Sequence, residues 1–259
     1  MIYTRLNYCW RLIATAVSFA VFGLGGVIIP WFAVPIIILT SSTKLDRQRK
    51  ARWLTHRTFY YYIHFMRVMG VLTWRTEDIE RLQRPGILVL ANHPCLIDVV
   101  FLLAFIPNAD CIVKNGLLSN PAMRGYIRLS GFISNQSGPA LVAEAGKSMT
   151  NGSALIIFPE GTRTRPGEPL HFQRGAANVA LRTHTPVTPV TILCQPATLS
   201  KMHRWYQIPP RKLRMTLLVG EDIMLDAYAD QAPSKAARQL TRELEHYFTE
   251  ELNAHEQSL

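Results

Sequence analysis

Hydrophobic and polar positions divide the chain into three stretches with different patterns. No charged residue and no histidine occurs from Leu12 to Thr43. The apolar part of this run, Leu12 to Leu39, would extend for about 42 Å as a single helix, whereas the hydrocarbon core of a bilayer is about 30 Å thick. Residues 51–69 then mix aromatic with basic side chains, and beyond Gly70 short apolar runs alternate with helical stretches. The pattern predicts a membrane segment, an amphipathic helix and an α/β domain.

The membrane segment, residues 1–45, is predicted to be helical and embedded in the bilayer. Glycine and proline interrupt its apolar run near the middle, and basic residues stand on both flanks. This arrangement favours a hairpin that dips into the membrane and returns to the same side, with a single tilted span as the alternative. In both arrangements the membrane is the cell membrane, and the rest of the chain lies on its cytosolic face. The interrupting residues are Gly23, Gly25, Gly26, Pro30 and Pro35.

The next segment, residues 46–70, is predicted to be an interfacial amphipathic helix. Its many aromatic side chains are interleaved with Arg52, Arg57 and Arg67. This mixture is typical of a helix that lies in the headgroup layer, with its basic heads in water and its rings in the interface. The alternative is an ordinary core helix whose aromatic side chains pack inward.

The remaining residues, 71–259, are predicted to form an α/β domain with a largely parallel sheet flanked by helices. The predicted strands are residues 71–76, 86–91, 110–114, 132–134, 154–158, 187–193 and 213–219. The predicted helices are residues 95–106, a helix after Pro121, and residues 139–149, 174–183 and 234–252. The prolines of the strand at 187–193 favour a place at the sheet edge or at a strand end.

Charge and cysteine content narrow the possible partners. Lysine and arginine number 28 against 18 aspartates and glutamates, which gives a formal net charge of +10. Such an excess indicates an anionic partner, either nucleic acid or a membrane surface. The adjacent membrane segment favours membrane lipids and argues against nucleic acid. The cysteines are scattered, and no group of Cys, His and carboxylates has the spacing of a metal site, so no metal is expected.

The first candidate for chemistry is NHPCLID, residues 92–98, which directly follows a predicted strand. Pro94 favours a helix start, so His93 lies in the strand-to-helix turn and Asp98 about one turn into the helix. From there the Asp98 carboxylate can hold one ring nitrogen of His93 and leave the other free as a general base. The alternative is a turn histidine beside a carboxylate that the helix dipole stabilises.

The second candidate is FPEGTRTR, residues 158–165, which follows another predicted strand. A Pro-Glu-Gly turn after a buried strand places Glu160 and Arg163 at the carboxyl edge of the sheet, where open α/β sheets bind ligands. The planar guanidinium groups of Arg163 and Arg165 suit an anion. The alternative is a charged surface turn.

Together and in this order, the two motifs resemble those of the glycerophospholipid and lysophospholipid acyltransferase family, which includes the 1-acylglycerol-3-phosphate O-acyltransferases. NHPCLID resembles the family's block of a histidine, four residues and an aspartate, and FPEGTR its glutamate–glycine–arginine block. The resemblance covers roughly residues 70–200. It continues in Lys114 after the third predicted strand, PAMRG (121–125), HFQRGAA (171–177) and PVTPV (186–190).

The resemblance implies a membrane-bound enzyme of phospholipid biosynthesis that moves a fatty acyl group from a thioester to a hydroxyl of a lysophosphatidic-acid-like acceptor. The donor substrate is acyl-CoA or acyl carrier protein, and no cofactor is expected. His93 is the implied general base and Asp98 its orienting partner, while backbone N–H groups at the helix start or Lys114 stabilise the oxyanion. The implied substrate-binding residues are Lys114, Asn135, Glu160, Gly161, Thr162, Arg163 and Arg174.

One segment departs from the family pattern. Members that take phosphate-bearing acceptors commonly end the strand near residues 132–135 with an arginine, whereas Ser134 and Asn135 stand here. A neutral Asn135 bonds a phosphate more weakly than a charged arginine does. A phosphate-free lipid or specialised-metabolite acceptor is therefore an alternative. Two further alternatives, independent of this segment, are a thioester hydrolase that uses His93 or Cys95 and a non-catalytic membrane adaptor.

Overall fold

The computed structural model describes residues 2–114, 116, 121–135, 139–165, 167–202, 204 and 206–256. Its α-helices are α1 (Ile2–Thr40), α2 (Lys44–Val68), α3 (Asp98–Phe105), α4 (Pro121–Ser130), α5 (Pro139–Thr150), α6 (Arg174–Thr183) and α7 (Pro233–Glu256). Its strands are β1 (Leu72–Glu77), β2 (Leu88–Ala91), β3 (Ala109–Val113), β4 (Ile133–Ser134), β5 (Ala154–Ile157), β6 (Val187–Gln195) and β7 (Leu213–Val219). Two short 3-10 helices span Ile79–Gln83 and Asp226–Tyr228.

The strands form one seven-stranded sheet in the order β1-β7-β6-β2-β5-β3-β4. All neighbouring strands are parallel except β6 and β7, which pair antiparallel. The predicted α/β class with a largely parallel sheet is confirmed. The order explains where ligands are expected, because β2, β5, β3 and β4 lie side by side with their carboxyl ends at one edge.

Of the two places that its prolines favoured for β6, the sheet edge is wrong. The strand lies inside the sheet, between β2 and β7, and not at an edge. Its ladder with β7 begins only at Val190, one residue after Pro189, and the Pro189 carbonyl accepts a bond from the N–H of Gly220 at 3.0 Å. Pro189 therefore sits where that ladder ends, which is how an interior strand tolerates a residue without an N–H.

Helices cover both faces of the sheet. On one face, Val89 and Ile156 join a buried cluster that includes Ile63 of α2 and Phe101 of α3. On the other face, the alternate strand residues join a second cluster with α5, α6 and α7. This alternation of strand residues between two covered faces is why the central strands have unbroken apolar sequences.

Helix α1 is continuous over 39 residues and passes through Pro30 and Pro35 without a break. The turn that the hairpin hypothesis placed in the middle of the apolar run is therefore wrong. The chain reverses instead between Thr40 and Lys44, where the Thr43 hydroxyl accepts a bond from the Asp46 N–H and caps α2.

The two N-terminal helices lie antiparallel along one another. The Trp10 indole Nε1 donates to the Met69 carbonyl at 3.0 Å, and the Tyr62 hydroxyl donates to the Ser18 carbonyl at 3.0 Å. Only one side of α1 is covered by these contacts. The span Leu6–Thr40 is long and apolar enough to cross a membrane by length and composition, and only 17% of its most apolar window is buried. Its most exposed large side chains are Leu39 (85%), Trp31 (76%) and Phe32 (68%).

Helix α2 fills the region predicted to be an interfacial amphipathic helix. Four of its aromatic side chains pack against the buried cluster on the α3 face, namely Phe59, Tyr60, Tyr62 and Phe65. Trp53 and Tyr61 remain exposed. The helix thus combines an inward aromatic face, as the core-helix alternative expected, with an outer face that carries exposed rings.

A buried ion pair fastens α2 to the sheet. The Arg52 Nη2 donates to Asp110 Oδ2 at 2.6 Å, and the Arg52 Nε donates to the Ser130 carbonyl at 2.8 Å. The Ser148 hydroxyl donates to the same carboxylate oxygen at 2.5 Å. Arg52 is only 4% exposed and Asp110 1%. Such a pair is tolerated inside a protein because each charge is hydrogen-bonded on several sides.

Candidate active site

The two candidate motifs leave adjacent parallel strands at the same edge of the sheet. NHPCLID follows β2 and FPEGTRTR follows β5, and β2 pairs with β5 in parallel register. His93 and Glu160 therefore emerge about one strand spacing apart, which is about 4.8 Å. The sequence indicated two separate strands, each followed by a motif. The strand order, which places β2 beside β5, brings the two motifs together.

His93 and Asp98 lie within hydrogen-bonding distance. The His93 Nδ1 is 2.9 Å from Asp98 Oδ2. Since a carboxylate only accepts, this contact puts the proton on Nδ1 and leaves the Nε2 lone pair for another proton. Asp98 is the first residue of α3 and is fully buried, whereas 18% of the His93 side chain is exposed. The buried group thus holds the ring, and the ring is the part that a substrate can reach.

The His93 ring also rests on an aromatic side chain that the sequence did not single out. Phe158, the last residue before the Pro-Glu-Gly turn, stacks on it with a centroid distance of 4.3 Å and an interplanar angle of 26°. The imidazole is therefore fixed from two directions, by Asp98 at one nitrogen and by Phe158 at one face. The position of Phe158 two residues before Glu160 was visible in the sequence, but its contact with His93 depends on the pairing of β2 with β5.

Glu160 joins the two motifs through the backbone. Its Oε1 accepts a bond from the His93 N–H at 2.8 Å, and its Oε2 accepts one from the Thr164 hydroxyl at 2.6 Å. The Thr164 N–H in turn donates to the His93 carbonyl at 2.8 Å. Glu160 therefore positions the turn that carries His93, and Thr164 is a second residue that sequence reasoning missed.

Burial dominates the electrostatics of both carboxylates. Desolvation raises the pKa of Asp98 to about 6, although the bond to His93 and the N–H of Cys95 act in the opposite direction. Desolvation also raises the pKa of Glu160 above its ordinary range, and its bonds from Thr164 and His93 limit that shift. The Asp98 Oδ1 atom has no partner among the described residues.

Three backbone N–H groups in the turn that leads into α3 are already hydrogen-bonded. The N–H of Cys95 donates to Asp98 Oδ2 at 2.7 Å, and the N–H of Leu96 donates to the Leu199 carbonyl at 3.1 Å. The N–H of His93 is held by Glu160. These three donors are therefore engaged within the protein, and stabilisation of the oxyanion by N–H groups at the helix start or by Lys114 stays a prediction.

Arg163 is tied to the loop that follows β6. Its Nη1 donates to the carbonyl of Leu199 at 2.7 Å and to that of Ser200 at 3.1 Å. This loop, residues 196–212, of which the structure describes 196–202, 204 and 206–212, connects β6 to β7 at the same edge of the sheet as the two motifs, because β6 runs parallel to β2. The Nη1 atom of Arg163 thus fixes this loop. Its predicted role, binding an anion, did not include this contact.

The other predicted site residues lie around this centre. Gly161 adopts a φ of 67°, which glycine reaches without steric cost, and it and Thr162 are exposed in the turn after β5. Arg174 is exposed at the first position of α6, next to Gln173, whose N–H donates to the Pro159 carbonyl at 2.7 Å. These residues therefore surround Glu160.

Lys114 and Asn135 lie further along the edge. Lys114 is exposed at the end of β3, and the N–H of Asn135 donates to the Val113 carbonyl at 3.0 Å just beyond β4. Since strands are spaced by about 4.8 Å, β3 and β4 lie roughly 10 and 14 Å from β2. The two residues are on the correct edge but not in the immediate surroundings of His93, and their roles stay predictions.

The cysteine nearest the motif is not arranged as a nucleophile. Cys95 is fully buried, and its contact with Cys194 and its desolvation raise the pKa of its thiol far above the ordinary value. A thiol in this state remains protonated at neutral pH. Among the described residues, no group of three or more His, Cys, Asp or Glu side chains is arranged to hold a metal ion.

Residues 74–193 match the model of the Acyltransferase family, and this range contains both motifs. This stretch is just under half of the chain, and the domain that contains it is similar to that family; we call it the acyltransferase-family domain. The 1-acyl-sn-glycerol-3-phosphate acyltransferase of Saccharomyces cerevisiae is 30% identical over 159 residues, which cover 58% of this chain and 52% of that protein. The protein of the same name from Borreliella burgdorferi is 31% identical over 128 residues, which cover 47% of this chain and 50% of that protein.

The matches to these two acyltransferases thus span about half the length of each relative. A solved structure agrees over a longer range. The crystal structure of the 1-acyl-sn-glycerophosphate (LPA) acyltransferase PlsC from Thermotoga maritima superposes with a TM-score of 0.74, covering 97% of this chain and 98% of that one. At 23% sequence identity this likeness establishes the fold of the acyltransferase-family domain and its N-terminal helices.

Proposed function

We propose that the protein is a membrane-bound O-acyltransferase that moves a fatty acyl group from an acyl thioester to a hydroxyl of a lysophosphatidic-acid-like acceptor. The observation that carries the proposal is the His93–Asp98 pair, with 2.9 Å between Nδ1 and Oδ2 and the ring partly accessible. The pair lies in the part of the chain that matches the Acyltransferase family. The relatives' names extend the proposal to 1-acylglycerol-3-phosphate as acceptor class.

In the proposed reaction His93 acts as general base through Nε2. The acceptor oxygen attacks the thioester carbonyl carbon while its proton moves to Nε2, and the negative charge of Asp98 stabilises the imidazolium that forms. The carbon–sulfur bond then breaks, and the proton passes from Nε2 to the departing thiolate. The products are the new ester and a free thiol, so atoms and charge balance without a covalent enzyme intermediate. CoA and acyl carrier protein both supply such a thioester.

Basic residues at the sheet edge would bind the acceptor's phosphate. Arg174 and Lys114 are exposed on either side of the turn that carries Glu160. Asn135, where relatives with phosphate-bearing acceptors commonly have arginine, makes a phosphate-free acceptor the second candidate. Charged partners strengthen the binding of a phosphate-bearing acceptor only, so the affinity for the acceptor distinguishes the two candidates.

The exposed apolar side of α1 would bind the bilayer, with the acyltransferase-family domain on the cytosolic face. Both substrates then reach the site from the membrane surface, since the donor tail and the acceptor are lipids. Apolar side chains such as Trp31 and Phe32 are exposed to solvent in the protein alone, and burying such a row in lipid is favourable. No nucleic acid partner and no cofactor are part of the proposal.

Transfer of a radiolabelled acyl chain tests the proposal directly. Purified protein is incubated with an acyl thioester and a panel of phosphorylated and phosphate-free acceptors. His93→Ala should abolish formation of the labelled ester. His246→Ala is the matched control, because that side chain is 73% exposed and pairs only with Glu250 on α7. Transfer by His93→Ala at the parent rate would refute the mechanism.

The same reaction mixture separates the rival activities. A thioester hydrolase would release labelled fatty acid with every acceptor and without ester formation. Nucleophilic catalysis by Cys95 would leave an acylated peptide, which mass spectrometry detects, and the buried protonated thiol argues against it. A membrane adaptor would bind the lipids and consume no thioester.

A further inference from the structure

An arginine of the first helix reaches across to the loop at the active-site edge. The Arg11 Nη1 donates to the Pro209 carbonyl at 2.9 Å, and its Nη2 donates to the Pro210 carbonyl at 2.7 Å. The Nε donates to Asn7 Oδ1 at 3.0 Å, so all three nitrogens are used. Arg11 is only 5% exposed although it lies in the exposed apolar helix α1. A planar fork that holds two successive carbonyls fixes both the position and the orientation of that backbone.

The loop held by Arg11 also holds the active site. Its Leu199 carbonyl accepts bonds from the N–H of Leu96, in the His93 turn, and from Arg163 in the Glu160 turn. The Ser200 carbonyl adds a second bond from Arg163. The loop thus contacts both motifs at one end and α1 at the other. A small cavity at this junction is lined by side chains from both elements, including Arg11, Thr15, Leu199 and Pro209.

The backbone at the shared contact is strained. Leu199 has a φ of 51°, a left-handed conformation that a leucine rarely adopts. Such a residue keeps its conformation only where its surroundings determine it from several sides. The bonds from Leu96 and Arg163 supply two of these constraints, and the anchoring of the same loop by Arg11 supplies a third. Without Arg11, the loop is free to relax at Leu199 and to move the carbonyls that hold Arg163.

We propose that Arg11 is a positioning residue for the acyltransferase site, which it serves by holding the 196–212 loop against α1. The loop then links the lipid-facing helix α1 to the turns that carry His93 and Glu160. The acceptor side of the site is ordered only while α1 contacts this loop. The inference rests on the proposed function for its kinetic consequence. The loop contact itself is independent of any activity.

The test compares three variants in the full-length protein. Arg11→Gln removes the charged fork, and Arg11→Lys keeps the charge but offers a single ammonium. Trp10→Phe is the matched control, because it removes a neighbouring bond from α1 to Met69 of the α2 end and leaves the loop contacts intact. Two readouts are used: steady-state kinetics with the acceptor varied, and the initial rate of tryptic cleavage at Lys201, which is exposed in the loop.

Arg11→Gln should speed cleavage at Lys201 severalfold and raise the KM for the acceptor about tenfold, with a smaller change in kcat. A displacement of about 1 Å in a positioning group can cost up to about a hundredfold in rate, so a tenfold effect is modest. Arg11→Lys should recover part of both effects, and Trp10→Phe should behave as the parent. Thermal unfolding of each variant is followed in parallel to show that the domain stays folded.

The outcomes are distinguishable. Parent-like cleavage and KM in Arg11→Gln would overturn the inference, and so would equal changes in Arg11→Gln and Trp10→Phe, which would indicate a general loosening of α1. Faster cleavage with an unchanged KM would also overturn the link to the site. Absence of acyl transfer by the parent would refute the proposed function, while the cleavage rates would still decide whether Arg11 holds the loop.

Discussion

Asp98 combines two opposing effects at a single residue. Full burial raises its pKa to about 6, which makes the carboxylate costly at neutral pH. The N–H of Cys95 and the first turn of α3 partly compensate for that cost, because both stabilise a negative charge at a helix start. What remains is a buried carboxylate whose Oδ1 atom has no partner among the described residues. The buried Asp98 carboxylate therefore lowers the stability of the fold, and the proposed reaction uses its negative charge to stabilise the imidazolium of His93.

Asp98→Asn should lower the catalytic rate without lowering the stability of the fold. Because Asp98 Oδ2 accepts from both His93 Nδ1 and the Cys95 N–H, the amide oxygen of asparagine would take that place, and the negative charge that stabilises the imidazolium would be lost. We therefore expect kcat to fall by about 10³- to 10⁴-fold. Because folding raises the pKa of Asp98, the folded state binds more protons than the unfolded state between about pH 4 and 6. The parent therefore loses stability as the pH rises through that window.

The neutral amide removes this penalty, so the melting temperature of Asp98→Asn at pH 7 should equal or exceed that of the parent, and its pH dependence between 4 and 6 should be weaker. Calorimetry or a thermal scan in detergent measures both quantities alongside kcat. Asp222→Asn, which alters a carboxylate in a surface pair with Arg84, serves as control. A strongly destabilised Asp98→Asn protein would contradict this account of the buried carboxylate.

Thr164 offers a test of the contact between the two motifs. Its hydroxyl donates to the Glu160 carboxylate, and a hydrogen bond to a charged group contributes about 1.5–3 kcal/mol. Thr164→Val keeps the shape and removes the donor, so kcat/KM should fall by roughly ten- to a hundredfold. Thr164→Ser retains the donor and should recover most of the activity. Equal losses in the two variants would mean that the side chain acts through packing and not through Glu160.

The contacts of Asp98 and Thr164 show which parts of the site could be predicted from the sequence. The His93–Asp98 contact was predictable because both partners lie within one local segment, although the expected helix start at Pro94 is wrong, since α3 begins only at Asp98. The contacts of Phe158 and Thr164 with the His93 turn were not predictable, since they depend on β5 pairing beside β2. A residue's partner inside its own segment follows from spacing, whereas a partner in another segment follows only from the strand order.

At the scale of elements, α2 is the part that connects the membrane segment to the sheet. Its inner side contributes Ile63 and Met66 to the buried cluster and Arg52 to the ion pair with Asp110. The same helix carries α1 along its outer side. The aromatic and basic residues that suggested an interfacial helix therefore serve two surfaces, because the rings on one side pack inward and those on the other remain exposed.

Arg52→Met should destabilise the protein far more than the loss of a surface charge. The variant leaves Asp110 buried without its cation, and breaking one partner of a buried pair costs about 3–5 kcal/mol. The control is Arg57→Met on the same helix, whose guanidinium contacts the exposed ring of Tyr61. Denaturant or thermal unfolding of the detergent-solubilised protein measures the difference. A similar midpoint for both variants would show that the pair does not hold α2 in place.

Strands and helices themselves were largely visible in the sequence. The predicted strand 213–219 and helix 174–183 coincide with β7 and α6, because their apolar periodicity and flanking turns are local signals. The placement of β6 inside the sheet was not visible, since it depends on where the β6–β7 ladder ends relative to Pro189. The course of α1 was likewise misjudged, because the Gly and Pro residues of an exposed helix do not by themselves make a turn.

At the scale of the whole molecule, α1 gives the protein one strongly apolar side. Its bonds to α2 at both ends of the helix pair, from Trp10 to Met69 and from Lys50 to Thr40, keep it alongside α2 over most of its length. A helix held in this way lies along the domain, and its outer face is available to a bilayer beneath it. A helix that crossed the membrane alone would have to leave these contacts.

This geometry predicts that both ends of α1 lie on the same side of the membrane as the acyltransferase-family domain. A tag fused to the N-terminus should therefore be digested when protease is added to the cytosolic side of sealed vesicles. A single span would shield the tag until detergent opens the vesicles. Replacing Trp31 and Phe32 by serine should also weaken vesicle binding, because each buried aromatic ring contributes about 1.5–3 kcal/mol to association with an apolar phase.

Met224→Ser, which removes a side chain 59% exposed outside α1, is the control for vesicle binding. The serine variant of α1 should keep its activity towards dispersed, short-chain substrates and lose it towards acceptors embedded in vesicles, because its catalytic turns are unchanged and only access to lipid is impaired. Loss of both activities would show that α1 supports the fold of the domain. A protected tag together with unimpaired vesicle binding would show that α1 crosses the bilayer, and its contacts with α2 would then have to be abandoned in the membrane.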